Sequence, residues 1–254
     1  MEKIIEVKNL TKIYNELLDK PFYALNDINF TMDRGDFVCI MGPSGAGKST
    51  FLNCISFIDT PSKGSVKIQG VDLNQLNLDK QGEMRYKTIG FVFQKFNLLN
   101  YLTIFDNISI PLTLFNEKKS VIDQKVHEVS KSMGIEDLLD KYPFECSGGQ
   151  IQRASICRAI INNPKIVIAD EPTGNLDSHN SNEVMKILKR LNETGISILL
   201  VTHDPMVASY SNRVIYIKDG KIEQDLVRGK CNQKEYFSKI VEMNSGELMN
   251  MLDI

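Results

Sequence analysis

One run, Gly42-Pro43-Ser44-Gly45-Ala46-Gly47-Lys48-Ser49, constrains this chain more than any other stretch of it. It fits the phosphate-binding loop pattern G-x-x-x-x-G-K-[ST] without a mismatch. The apolar run Phe37-Val38-Cys39-Ile40-Met41 leads into it, and Thr50-Phe51-Leu52-Asn53-Cys54-Ile55 reads on as a helix. Gly42, Gly45 and Gly47 lack Cβ atoms, so the backbone can close into a concave nest of N–H donors around a phosphate chain. The helix that follows adds its positive end to the same anion. Lys48 is placed to reach the β- and γ-phosphates, and the Ser49 hydroxyl to ligate Mg²⁺. The candidate contact set is Gly42, Ser44, Gly45, Ala46, Gly47, Lys48, Ser49 and Thr50.

The chain has 254 residues, enough for one large domain or two small ones. A formal charge of −2 offers no bulk electrostatic hold on a polyanion, so nucleic acid is not expected as a partner. No apolar stretch approaches the roughly 18–20 residues of a membrane span. The segment Met1-Glu2-Lys3-Ile4-Ile5-Glu6 alternates charge with aliphatics and does not read as a secretory signal. Cys39, Cys54, Cys146, Cys157 and Cys231 are scattered, without a C-x-x-C pair or a Cys/His cluster. That pattern points to a reducing, cytosolic compartment.

Short apolar runs alternate with longer helical patterns, which predicts an α/β fold with a largely parallel sheet. The clearest strands are 37–41, 89–93, 166–170, 197–203 and 213–218, and 214–222 reads as a hairpin with an Asp219-Gly220 turn. Residues from about 96 to 163 read as a mostly helical insertion with irregular joints at Pro111, Gly134 and Pro143. After Asp225 the pattern is polar and helical without a strand signal, so 225–254 reads as a C-terminal helical appendage.

A second signal is Ile166-Val167-Ile168-Ala169-Asp170-Glu171, in which four apolar residues run into two acids. It describes a buried strand delivering carboxylates to the C-terminal edge of the sheet, where open α/β sheets bind their ligands. Asp170 is the candidate Mg²⁺ ligand, and Glu171 the candidate group that orients and polarises an attacking water. The third signal is Cys146-Ser147-Gly148-Gly149-Gln150 ahead of a helical run, a second anion-seeking helix start. The first loop already supplies one complete phosphate cradle, so this one requires a separate explanation.

With these motifs in order, the chain resembles the ATP-binding subunits of ABC transporters, whose signature is Leu-Ser-Gly-Gly-Gln. Cys146 replaces the leucine, while Ser147, Gly149 and Gln150 stand. The resemblance implies a P-loop NTPase (RecA-like) core with an antiparallel β subdomain and an inserted helical subdomain, the cassette covering 1–224. It also implies ATP and Mg²⁺, and a sandwich of two copies in which the signature of one closes over the γ-phosphate held by the other. Gln94 then matches the Q-loop glutamine, touching Mg²⁺ and the attacking water, and Asn175-Leu176-Asp177 the loop that crosses between subunits. His203 matches the switch histidine of the γ-phosphate, and Tyr14 the aromatic that stacks on adenine. Residues 15–24 read as a lengthened hairpin, which keeps Phe22 and Tyr23 as rivals to Tyr14. His127 and His179 carry no motif.

Within the family, Ala169 to Ser178 is similar to the branch of macrolide exporters, lipoprotein-releasing systems and division-protein partners. Asn97-Leu98-Leu99, Asp106-Asn107-Ile108, Thr202-His203-Asp204-Pro205 and the tail with Tyr236-Phe237 resemble bacitracin-type peptide-resistance transporters. This implies a partner permease of about ten helices, often with a sensor histidine kinase, and a place on the cytoplasmic face of the membrane. The rival is the same ATPase serving a macrolide or lipoprotein exporter, or a division or envelope-remodelling complex.

Overall fold

The structure, a computed structural model, describes residues 2–16 and 20–252. In chain order it opens with β1 (Lys3–Tyr14), β2 (Phe22–Asp33), β3 (Phe37–Met41), α1 (Lys48–Ile55), β4 (Lys63–Ile68), β5 (Val71–Asp72) and α2 (Leu78–Thr88). There follow β6 (Ile89–Phe93), α3 (Ile104–Leu114), α4 (Lys119–Ser132), α5 (Gly148–Ile160), β7 (Ile166–Asp170) and α6 (Ser178–Glu193). The last elements are β8 (Ser197–Val201), α7 (Pro205–Ala208), β9 (Arg213–Lys218), β10 (Lys221–Val227) and α8 (Gln233–Leu252). The chain divides into two compact units, Met1–Gln81 with Ser197–Ile254, and Gly82–Ile196.

In the first unit β3 and β8 are buried along their whole length, as the unbroken apolar runs of parallel strands require. Parallel pairing places Ile40 opposite Val201 and Met41 opposite Tyr216, giving the order β10-β9-β3-β8. The strand expected to reach His203 ends at Val201, because the Thr202 hydroxyl turns inward to accept the Asp204 N–H at 3.1 Å. A second, antiparallel sheet has the order β2-β1-β4-β5. Tyr14 pairs with Phe22 across the connection expected to be a long hairpin, of which residues 17–19 lie outside the described residues.

The hairpin at Asp219-Gly220 has φ of 47° and 73°, the paired positive values of a tight I′-type turn. Its second strand continues to Val227, past the Asp225 at which strand character was expected to stop. β10 is a polar edge strand held by backbone pairing and by Arg213, whose guanidinium reaches both Asp225 carboxylate oxygens at 2.8 and 2.6 Å. Beyond it, α8 buries Tyr236, Ile240 and Met243, one helical face at i, i+4 and i+7. The Tyr236 hydroxyl donates to the Leu226 carbonyl at 3.0 Å, and burial pushes its pKa up to about 12.

In the second unit β6 and β7 run parallel with Phe93 opposite Asp170. Ile104, Ile108 and Leu112 of α3, Val126 of α4 and Ala154, Cys157 and Ile161 in or after α5 form its apolar core. Pro111, expected at an irregular joint, lies inside α3. Its missing N–H removes one ladder bond, and the side chains of Ser109 and Thr113 bond the Asp106 and Ser109 carbonyls alongside it. All five cysteines are free, with Cys39, Cys54 and Cys157 buried.

Candidate functional site

The first unit carries the phosphate loop at the exit of β3. Gly42 has φ 148°, and a Cβ there would lie 1.9 Å from the Ile217 carbonyl oxygen. Gly47 has φ 98°, and its Cβ would meet the Ala24 oxygen at 2.4 Å. No side chain but hydrogen therefore permits this loop, and the sequence supplies none. Gly47 caps α1 without a side-chain hydrogen bond, so the first N–H groups of the helix have no capping side chain. Ser44, Gly45 and Ser49 are exposed, Ala46 is buried, and Gly47, Lys48 and Thr50 are half-buried. The Lys48 ammonium curls over the loop and donates to the Gly42 and Pro43 carbonyls, both at 2.8 Å. A concave row of N–H donors, a helix end and a lysine beside it form a cradle that fits a phosphate chain.

His203 follows β8, the neighbour of β3, so it leaves the same edge of the sheet as the loop. Asp204 then caps α7, accepting the Met206 N–H at 2.7 Å. Tyr14 closes β1, with its hydroxyl donating to Asp59 at 2.7 Å and Lys12 Nζ 4.9 Å from its ring centroid. Lys12 in turn reaches the other Asp59 oxygen at 2.5 Å. Burial raises the Tyr14 phenol, and its bond to Asp59 raises it further, so it stays a donor. For Asp59, burial pushes the carboxyl up, but the bonds from Lys12 and Tyr14 and the Lys12 charge carry it below the ordinary value. A depressed carboxyl contributes in full above its unfolded pKa and is lost only as pH falls through its own lower one, so this clamp is closed at neutral pH. Phe22 and Tyr23, the rivals to Tyr14, are 57% and 51% exposed.

The second unit brings the remaining candidates together. Gln94 and Glu171 leave adjacent strand ends, one residue beyond the paired Phe93 and Asp170. Glu171 has φ 47°, a left-handed backbone that costs a non-glycine residue about 1 kcal/mol or more and that clusters at functional sites. The Gln94 side chain lies against Gly174, where a Cβ would come within 2.7 Å of its Nε2, and its carbonyl accepts the Asn175 amide at 2.8 Å. Ser147 and Gln150 cap α5 reciprocally: the Ser147 hydroxyl accepts the Gln150 N–H, and the Gln150 carboxamide accepts the Ser147 N–H at 2.8 Å. Gly149 is buried against Asn180, whose Oδ1 would stand 2.1 Å from a Cβ. Asp177 caps α6, and the bonds from the Asn180 backbone and side chain hold its carboxyl below the ordinary value. Cys146 packs against the helical core, its thiol donates to the Tyr142 carbonyl at 3.6 Å, and burial raises that thiol.

Ser49 in the first unit offers a hydroxyl oxygen, and Gln94 and Asp170 in the second offer amide and carboxylate oxygens, each a hard donor of the kind Mg²⁺ takes. Residues that carry no sequence motif support each unit: Lys12 and Asp59 beside Tyr14 in the first, and in the second Asn180 beside Asp177, Gln152, which donates to the Pro172 carbonyl, and Arg158, which reaches the Phe96 and Asn97 carbonyls. Lys12, two positions before Tyr14 on the same strand, lies within reach of a local pattern.

The sequence pattern of the ABC transporter family matches residues 25–174. The ABC transporter ATP-binding protein YxdL of Bacillus subtilis is 46% identical over 96% of this chain and 95% of its own length. The bacitracin export ATP-binding protein BceA of Halalkalibacterium halodurans is 43% identical, over 94% of each chain. A dimeric structure of the ATP-binding cassette MJ0796 of Methanocaldococcus jannaschii, in a post-hydrolysis state bound to ADP and Pi, superposes with a TM-score of 0.81. It is 41% identical and covers 88% of this chain and 98% of that one. The P-loop NTPase fold, the cradle at α1 and these relatives agree, and the chain belongs to the ABC transporter family as an ATP-binding ATPase.

Proposed function

We propose that the chain powers a membrane permease giving resistance to cell-wall-active peptides such as bacitracin or lantibiotics, as a pair closed around two Mg-ATP. The observation that carries the peptide role is the 43% identity with BceA over 94% of the chain. Pairing is supported by the second anion-seeking helix end at α5, additional to the loop at α1 that fits one phosphate chain, and by the dimeric form of MJ0796. No helix among the described residues is long and apolar enough to cross a membrane, so the chain would meet the bilayer's cytoplasmic face through its permease.

In each composite site one copy supplies Tyr14, the 42–50 loop, Gln94, Asp170, Glu171 and His203. The other supplies Ser147, Gly149, Gln150 and the Asp177 loop. The loop N–H groups and the α1 end bind the phosphates, and Lys48 exchanges its two loop carbonyls for β- and γ-phosphate oxygens. Ser49, Gln94 and Asp170 would hold Mg²⁺, which when bound would supply positive charge against the phosphates. Glu171 orients the attacking water and takes its proton, while His203 bonds the γ-phosphate. That phosphate bridges the two copies, and its hydrolysis removes the bridge, which ties the closed state to ATP occupancy.

Tyr14→Ala will weaken ATP binding by about tenfold, the scale of one base–aromatic stack. Asp59→Ala, which frees the ring and touches no nucleotide, will weaken it by a smaller factor; titration calorimetry reads both. Unchanged affinity in Tyr14→Ala moves the adenine contact to Phe22 or Tyr23. The peptide role is tested by purifying a tagged Glu171→Gln chain from its native membranes with ATP. A permease of about ten helices with a large extracellular domain supports it, all the more beside a histidine kinase. A four-helix division protein or a macrolide-type exporter in its place overturns the role and leaves the ATPase.

A further inference from the structure

Gln152 lies on α5, two positions past Gln150, and is fully buried at 0% exposure. Its Nε2 donates to the Pro172 carbonyl at 2.5 Å. Because that acceptor is a carbonyl, the amide orientation is fixed, and its Oε1 finds no hydrogen-bond partner among the described residues. A buried polar side chain with half of its capacity unmet is costly, so an apolar residue of the same length would pack more favourably. What the glutamine supplies is one donor, aimed at the carbonyl of Pro172, the residue that follows Glu171. The Pro172 carbonyl lies in the middle of a strained turn: Glu171 stands at φ 47°, and the Glu171 carbonyl accepts the Gly174 N–H at 3.0 Å. The same helix supports the loop after Gln94. Arg158 reaches the Asn97 and Phe96 carbonyls at 2.5 and 2.9 Å, and both residues stand at left-handed φ of 53° and 59°. α5, capped by Ser147, thus holds both turns that follow the paired ends of β6 and β7.

We propose that Gln152 is the positioning residue of Glu171, binding the signature helix and the carboxylate turn into one mechanical piece within each subunit. This rests on the reading of Glu171 as the group that takes the proton of the attacking water. Since the Ser147 end of α5 meets the nucleotide of the other copy in that reading, closure on one ATP sets the carboxylate facing the second. Loss of the donor leaves ATP binding intact and leaves Glu171 free to relax out of its left-handed turn. A misplacement on the order of 1 Å costs roughly 100-fold in rate.

The test is a cycle of four chains, wild type, Gln152→Met, Glu171→Gln and the double variant, assayed for steady-state phosphate release against ATP concentration. Methionine keeps the length and packing and removes the donor. The expected result for Gln152→Met is a kcat lower by about 10- to 100-fold with KM for ATP within about threefold, and a Hill coefficient reduced toward 1. In the Glu171→Gln background the same substitution will have no further effect on turnover, because its penalty acts through the carboxylate already removed. Gln152→Leu, which likewise removes the donor and fills the site with apolar volume, serves if methionine disturbs folding and will give the same split. An unchanged kcat, or an equal loss in both backgrounds, overturns the positioning role. Undiminished turnover by Glu171→Gln alone overturns instead the assignment of Glu171, so the two failures are told apart.

Discussion

Glu171→Gln will bind ATP, lose turnover by about 10²- to 10⁴-fold, the contribution of a positioned general base, and accumulate as an ATP-bound dimer. The glutamine is isosteric and faces the same left-handed backbone, so the turn that presents it is kept. What disappears is the negative charge proposed to polarise the water and accept its proton. In the proposed composite site the γ-phosphate then persists, and with it the contacts proposed for Ser147 and Gly149 of the second copy. Removal of a carboxylate from the neighbourhood of a triphosphate also relieves like-charge repulsion, which shifts the equilibrium further toward the closed pair. Phosphate release and light scattering with ATP and with ADP read the two effects separately. A chain that remains monomeric with ATP present and hydrolyses at the wild-type rate would sink both the role of Glu171 and the sandwich.

The parts of this site that could be read from the sequence are those in which the chemistry falls on neighbouring residues. The loop at 42–49 is legible because its glycines answer to backbone contacts, such as Gly42 against the Ile217 carbonyl, that no Cβ survives. β3 and β7 are legible because parallel strands covered on both faces are unbroken apolar runs. The signature reads as a helix start because Ser147 and Gln150 are a capping box, whatever else they bind. β1 shows no clean alternation because its register shifts in several places and Asn9 stands at φ 49°, so its period of two is broken. The Lys221–Val227 strand hides because it is an edge strand with polar residues on both faces. Asp59 beneath Tyr14, Gln152 beneath Pro172 and Arg158 beneath Phe96 are separated by 45, 20 and 62 positions. Such supports depend on tertiary packing, and no local pattern announces them.

Lys48→Ala will abolish ATP binding at working concentrations and leave the fold standing. The ammonium is half-buried and donates to carbonyls of its own loop, so in the absence of nucleotide its removal exposes two acceptors at a surface that water reaches. Against a triphosphate the loss is different in kind, because a charge-assisted donor vanishes from beside a dense anion. Truncating one partner of such a pair costs about 2–5 kcal/mol, roughly 30-fold to several-thousand-fold in Kd. Gly42→Ala provides the contrast, since its Cβ would collide with the Ile217 carbonyl of β9 at 1.9 Å and must displace backbone. That variant will lower the melting temperature and the affinity together, whereas Lys48→Ala will lower the affinity alone. Calorimetric titration with ATP, paired with thermal melts, distinguishes them. Unchanged affinity in Lys48→Ala would remove the lysine from the phosphate site, and a collapse of its melting temperature would make it a structural strut of the loop.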